Sequence, residues 1–129
     1  MMHTHLIFLA DEIGMASVFP EIKDKLAGDP GIMITLLYYL HADNFLFQKE
    51  LDILEKHFPA RLYVCYETIA AGLDAVLNQE SIEAVINANT VAAVNFIVSA
   101  SQSFTENAIH RLRFLGIKNI TVQEQFFSY

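Results

Sequence analysis

Strand and helix signals alternate along the whole chain, and this alternation constrains the fold more than any other feature. Short apolar runs are followed by stretches in which apolar residues recur every three or four positions. The predicted order is β-α-β-α-β-α-α-β-α-β within a single domain, 1–129, with no repeat or linker. Such an order is typical of a parallel sheet with right-handed crossovers. We therefore expect a three-layer α/β fold with a five-stranded parallel sheet and helices on both faces.

The boundaries of most elements can be predicted from apolar runs, caps and stop signals. Five strands are predicted, at about 5–10, 32–40, 61–67, 92–100 and 119–127. The first helix is expected to start with Ser17 as its N-cap and to end at Gly28. In the last helix, Ser103 and Glu106 have the spacing of a capping box. Ligands of such sheets bind at the carboxyl ends of the strands, so the loops there become the candidate site.

Composition narrows the possible partners. Hydrophobic residues make up 53% of the chain and charged residues 18%, which fits a sheet covered on both faces or a buried partner surface. The aromatic end "FFSY" would suit the edge of the core or a contact in a homo-oligomer. The net charge of −7 argues against nucleic acid as a ligand. Cys65 reads as a buried hydrophobe, and His3 and His5 as solvent-facing. With no membrane-span or signal-peptide pattern, we expect a cytoplasmic protein without membrane attachment.

The turn after the first strand is unusual for this class of fold. In "LIFLADEIGM", Asp11 and Glu12 occupy a place where glycines normally let backbone N–H groups approach a phosphate, and only Gly14 remains. Two carboxylates there are able to bind Mg²⁺ or to accept hydrogen bonds from ribose hydroxyls. Alternatively, they only stabilise the following helix through its dipole.

The acidic pair resembles the receiver domain of bacterial response regulators, in which carboxylates hold Mg²⁺ beside a phosphoryl-accepting aspartate. Ser99 or Ser101 would suit the hydroxyl of that family. However, Glu67 stands where the acceptor aspartate belongs, and the fifth strand lacks the lysine expected near its end. The resemblance implies at best a non-catalytic, receiver-like interaction domain.

Two longer stretches resemble another family. "ITLLYYLHADNFLFQKELDILEKHFPARLYVCYE" and "NFIVSASQSFTENAIHRLRFLGIKNITVQEQFF" are similar to segments of the NAD(P)-binding C-terminal domain of ferredoxin–NADP reductase-like flavoproteins. We prefer this resemblance, which covers roughly 6–127. It implies a Rossmann-like fold and an NAD(P)H-binding oxidoreductase module, and the alternative is a reductase-derived interaction domain without turnover.

The resemblance places the phosphate turn of the family on Asp11, Glu12 and Gly14. It implies that Gly14, Met15 and Ala16 offer backbone donors to the pyrophosphate of the cofactor, and that the two carboxylates limit its affinity. The turn is also similar to the "DET" turn of siderophore-interacting ferric reductases, in which NADPH reduces iron chelates through FAD.

The "CGP" motif of the family falls on Ser99, Ala100 and Ser101. Its cysteine assists hydride transfer near the nicotinamide, so the resemblance implies that Ser99 is the catalytic position. Ala100, Ser101 and Phe104 join the predicted cofactor-binding residues.

The contacts of the family to the adenosine ribose fall on Tyr38, Tyr39 and His41. No arginine there marks a 2′-phosphate, which favours NADH over NADPH. The FAD-binding barrel of the family is absent from these residues. We therefore expect a partner domain or protein to hold the FAD that accepts the hydride.

Overall fold

The computed structural model describes residues 3–40, 47–68, 79–89 and 93–123. These residues form five strands and four helices. In chain order they are β1 (Thr4–Asp11), α1 (Met15–Gly28), β2 (Ile32–Leu40), α2 (Gln48–His57), β3 (Leu62–Thr68), α3 (Gln79–Ala88), β4 (Ala93–Ser99), α4 (Gln102–Phe114) and β5 (Ile120–Val122). Two helical segments were predicted between the third and fourth strands; the second corresponds to α3, and the first, expected at 69–77, lies outside the described residues.

All five strands are parallel and follow the order β3-β2-β1-β4-β5. The predicted three-layer α/β fold is therefore confirmed. The chain builds the sheet outward from β1 in one direction and then returns to β4 on the other side, so the order reverses between β1 and β4. This is the Rossmann order, whereas receiver domains have the order 2-1-3-4-5. The receiver-like alternative is wrong at the level of strand order.

Two hydrophobic cores cover the two faces of the sheet. We call them the α1–α2 face and the α3–α4 face, after the helices that pack on each. Along β1 the side chains of Leu6 and Phe8 join the α1–α2 face, and those of Ile7 and Leu9 join the α3–α4 face. Because both sides of the strand are buried, its sequence is apolar throughout.

The predicted starts of the first and last helices are wrong, whereas the first helix ends at Gly28 as predicted. The helix α1 begins at Met15, so Ser17 lies inside it, and the N–H of Val18 bonds the Gly14 carbonyl oxygen at 3.0 Å. Likewise α4 begins at Gln102, which places Ser103 inside the helix rather than at its cap. At the other end of α4, Gly116 has a φ of 85°, the left-handed conformation that commonly follows a helix.

His5 is buried, contrary to the expectation that it faces solvent. Its side chain is 3% exposed, because β1 lies between β2 and β4 in the centre of the sheet. One ring nitrogen, Nδ1, lies 2.9 Å from Oδ1 of Asn89, and the other, Nε2, lies 2.7 Å from Oγ1 of Thr35. Burial lowers the pKa of His5, and the bond to Asn89 opposes that shift. His3 is exposed, as predicted. Cys65 is exposed rather than buried as predicted, because β3 is an edge strand of the sheet.

Candidate functional site

Two loops meet where the strand order reverses. The loop 12–14 follows β1, and the residues 100–101 follow β4, its neighbour across the reversal. Because the loops leave adjacent parallel strands in opposite directions, a crevice forms at this edge in doubly wound folds, and ligands bind there. The predicted site residues that lie in or beside these loops are Asp11, Glu12, Gly14, Met15, Ala16, Ser99, Ala100, Ser101 and Phe104.

Gly14 brings the two loops into direct contact. A β-carbon built on Gly14 would lie 1.7 Å from the carbonyl oxygen of Ser99 and 3.0 Å from the backbone nitrogen of Ala100. These are distances that side-chain atoms do not adopt, so only glycine fits. Gly14 therefore allows the backbone after β1 to contact the backbone after β4, in addition to any contact that it allows between backbone and ligand.

The Asp11 carboxylate joins the same two loops through hydrogen bonds. Its Oδ1 accepts the N–H groups of Ile13 and Gly14, each at 3.0 Å. Its Oδ2 accepts the N–H of Ser101, also at 3.0 Å, across the reversal in strand order. Glu12, by contrast, is exposed. The two adjacent carboxylates therefore have different surroundings.

The first turn of α1 holds the remaining predicted backbone donors. The first N–H groups of any helix lack acceptors within that helix, and those of Met15 and Ala16 lie in this position. The side chain of Met15 is buried in the α1–α2 face, while Ala16 is exposed. The N–H of Gly14 is already bonded to Asp11. A phosphate at this turn would therefore find its donors in Met15 and Ala16.

Most predicted contacts from β4 and α4 are buried. Ser99 is 0% exposed, Ala100 5% and Phe104 2%, whereas Ser101 is half-buried. The Phe104 ring packs on Tyr39, with 5.0 Å between the ring centroids. A ligand would have to uncover Ser99 before contacting its hydroxyl. The catalytic role of Ser99 and the cofactor contacts of Ala100, Ser101 and Phe104 stay predictions.

Tyr38 and Tyr39 lie on opposite faces of the sheet. Tyr38 belongs to the α1–α2 face and Tyr39 to the α3–α4 face, because successive side chains of a strand alternate. A single ribose between these loops therefore does not contact both rings within this arrangement. His41, predicted as a third ribose contact, lies outside the described residues.

The Tyr39 hydroxyl is buried, and the described residues supply it with no hydrogen-bond partner. Tyr39 pairs with Asp11 in the register of β1 and β2, so it lies beside the two loops. Burial raises the pKa of Tyr39, with Glu67 and Cys65 adding to the effect, so the hydroxyl keeps its proton. A buried hydroxyl without a partner destabilises the fold, which makes it a candidate contact for a ligand.

The structure also assigns Asp11 a role that the sequence interpretation missed. The bonds to Ile13 and Gly14 form a local turn of a kind that aspartate favours, so this part was accessible from sequence. The bond to Ser101 joins residues 90 positions apart, and no local sequence pattern indicates such a contact.

Within the described ranges, no three His, Cys, Asp or Glu side chains form a group able to hold a metal ion. No helix there is long and apolar enough to cross a membrane.

Comparisons with known proteins identify the fold. No protein-family model and no curated protein matches the chain. Solved structures with the same fold include the CS-b5R domains of human Ncb5or in an NAD⁺ form (TM-score 0.76, 18% identity). Flavohemoglobin from Malassezia yamatoensis with bound FAD and heme (0.73, 16%) and ferredoxin-NADP⁺ reductase from Plasmodium falciparum (0.69, 16%) share it as well.

These matches extend over 93%, 94% and 95% of this chain but over 36%, 31% and 52% of the respective solved chains. The chain thus spans between about a third and a half of the length of the proteins it matches. The predicted resemblance to reductase domains is confirmed at the level of the fold.

Proposed function

We propose that this chain is a nicotinamide-nucleotide-binding module of the ferredoxin-reductase type, which delivers hydride to a flavin held by another domain or chain. The observation that carries the proposal is the meeting of the loops after β1 and β4 where the strand order reverses. Parallel α/β folds bind nucleotides at that point. Two of the solved structures that share the fold are an NAD⁺ form and a ferredoxin-NADP⁺ reductase, which supports the same ligand class.

Residues of the chain fit parts of such a ligand. The N–H groups of Met15 and Ala16 suit a phosphate at the start of α1, where the helix dipole also favours an anion. The buried Tyr39 hydroxyl suits a sugar hydroxyl that would complete its hydrogen bonding. When bound, the nicotinamide would supply the hydride, and Ser99 is the residue of β4 proposed to face it. The carboxylates of Asp11 and Glu12 oppose a pyrophosphate, so we expect weak binding.

The proposal is tested by titrating the purified chain with NADH, NADPH and ADP-ribose. A ligand that binds only the folded state raises the melting temperature, and calorimetry gives its dissociation constant. We expect stabilisation by all three, with NADH binding more tightly than NADPH because the predicted ribose contacts include no arginine.

A matched pair of variants locates the binding. Tyr39→Phe removes the buried hydroxyl and should weaken NADH binding about three- to tenfold, the value of one hydrogen bond. Tyr63→Phe, on β3 and 48% exposed, should not. Unchanged melting temperature and no heat at saturating NADH and NADPH would overturn the proposed function.

A second candidate function is a reductase-derived domain that acts only through protein contacts. It is favoured by the Asp11 carboxylate, which already bonds the N–H groups of Gly14 and Ser101. Exposed apolar side chains also support it, notably Ile53 at 64% and Phe114 at 72% exposed. A chain that ignores nucleotides but associates with itself or with a flavoprotein would establish this second function.

A further inference from the structure

We infer that Asp11 is a specificity-determining residue, whose carboxylate takes the place of a ligand phosphate between the two loops and disfavours a pyrophosphate there. This inference rests on the proposed function, because it concerns the same crevice. It adds that one side chain, Asp11, rather than the overall acidity of the turn, sets the preference. The weak binding of a pyrophosphate expected of the wild-type chain should then result from Asp11 alone.

The carboxylate of Asp11 accepts three hydrogen bonds. An ionised carboxylate only accepts hydrogen bonds, and here it receives N–H groups from Ile13, Gly14 and Ser101, all at 3.0 Å. Bonds from backbone N–H groups to a charged acceptor are stronger than those between neutral groups. The carboxylate thus makes the same kind of contact that a phosphate oxygen makes with a loop at the start of a helix.

The contact of Gly14 with Ser99 fixes where this internal anion lies. Because the two backbones touch there, the loops have no freedom to close further. Asp11 reaches from the end of β1 to Ser101 after β4, which is across the reversal in strand order. A pyrophosphate entering at the same point would meet a negative charge and donors that are already bonded. It would have to displace Asp11 before it could use those N–H groups.

Glu12 provides the comparison that separates position from charge. It carries the same formal charge one residue further along, but it is exposed. Water and salt screen an exposed charge, so Glu12 should repel a pyrophosphate only weakly. If overall acidity set the preference, then Asp11 and Glu12 would contribute alike.

The experiment measures binding of inorganic pyrophosphate by calorimetry to the wild-type chain, Asp11→Ala, Asp11→Asn and Glu12→Gln. Thermal melts verify that each variant folds. Removing the carboxylate of Asp11 should raise pyrophosphate affinity about tenfold or more, because charge-assisted acceptors no longer compete for the donors. Glu12→Gln should change it less than about threefold, as expected of a screened charge. The amide resonances of Gly14 and Ser101 should shift with pyrophosphate in the Asp11 variants.

Equal gains in Asp11→Asn and Glu12→Gln would overturn the inference, since charge alone would then explain the result. So would a folded Asp11 variant with unchanged pyrophosphate affinity. If Asp11→Ala does not fold, then Asp11→Asn decides, because it keeps the size of the side chain.

Titration of the same proteins with NADH separates this inference from the proposed function. A gain in pyrophosphate binding specific to Asp11 variants, without NADH binding by any protein, supports the role of Asp11 while the proposed function fails. Wild-type binding of NADH without any gain in the Asp11 variants supports the function and overturns the inference.

Discussion

The carbonyl oxygen of Ser99 lies where the side chain of residue 14 would begin, since a β-carbon on Gly14 would fall 1.7 Å from it. This contact joins the ends of β1 and β4, which are adjacent in the sheet but distant in the chain. The glycine of an apparent phosphate turn thus has a packing role in addition to any role in binding. The two backbones are therefore in contact at the reversal of strand order.

We predict that Gly14→Ala lowers the free energy of unfolding by about 1–3 kcal/mol, the usual effect of overpacking. The new methyl group would clash with the backbone of Ser99, which cannot change conformation as easily as a flexible side chain. Gly28→Ala is the control, because a β-carbon there meets nothing within 4 Å. It should leave stability unchanged or raise it by up to about 1 kcal/mol. Urea denaturation measures both, and equal effects would contradict the packing role.

The fold was predictable because its signals are local. A strand was predicted at 32–40 and found at Ile32–Leu40, since a strand buried on both faces is apolar throughout. The helix starts were not predictable in the same way. Ser17 has the residue type of an N-cap, but the turn before α1 is formed earlier, by the carboxylate of Asp11. The residue type of Ser17 thus indicates a possible helix start, whereas the bonds of the Asp11 side chain fix the actual start at Met15.

The candidate site was predictable only in part. The loops that form it follow from the order of strands and helices, because carboxyl ends of parallel strands lie at one edge of the sheet. The bond from Ser101 to Asp11 and the burial of Ser99 depend on how two distant loops pack. The same is true of His5, whose partners Thr35 and Asn89 come from other elements. Contacts of this kind leave no periodic pattern in the sequence.

The helix α4 carries one buried and one exposed phenylalanine, Phe104 and Phe114, whose substitutions should have very different effects on stability. Phe104→Ala should lower the free energy of unfolding by about 3–5 kcal/mol, because it empties a buried site against Tyr39. Phe114→Ala, at a position 72% exposed, should change it by less than about 0.5 kcal/mol. Chemical denaturation of both variants provides the measurement. A small change in the free energy of unfolding for Phe104→Ala would show that this ring contributes little to core packing and is available to contact a cofactor.

Removing the Tyr39 hydroxyl should stabilise the chain in the absence of ligand. A buried hydroxyl without a partner costs about 1–3 kcal/mol, so we expect Tyr39→Phe to raise the free energy of unfolding by about 1 kcal/mol. Tyr63→Phe changes an exposed ring and should stay within about 0.5 kcal/mol of the wild type. Urea denaturation without nucleotide measures both. If Tyr39→Phe instead destabilises the chain, then the hydroxyl has a hydrogen bond in the folded protein.

Acid should destabilise the fold through His5. Burial lowers the pKa of His5 in the folded chain below its ordinary value of 6.5, so the unfolded chain binds the proton more readily. The stabilising contribution of neutral His5 is therefore complete above about pH 6.5 and is lost as the pH falls from there towards the lowered pKa of the folded state.

Urea denaturation at several values between about pH 7.5 and about pH 5 measures this loss. His5→Gln removes the titrating ring and should make the free energy of unfolding fall less steeply over this range than in the wild type. His110→Gln replaces an exposed histidine of α4 and should keep the wild-type slope. Because carboxylates contribute to the slope in all three proteins, the difference between the variants isolates His5. A His5→Gln variant that retains the full wild-type slope would show that other groups cause the acid sensitivity.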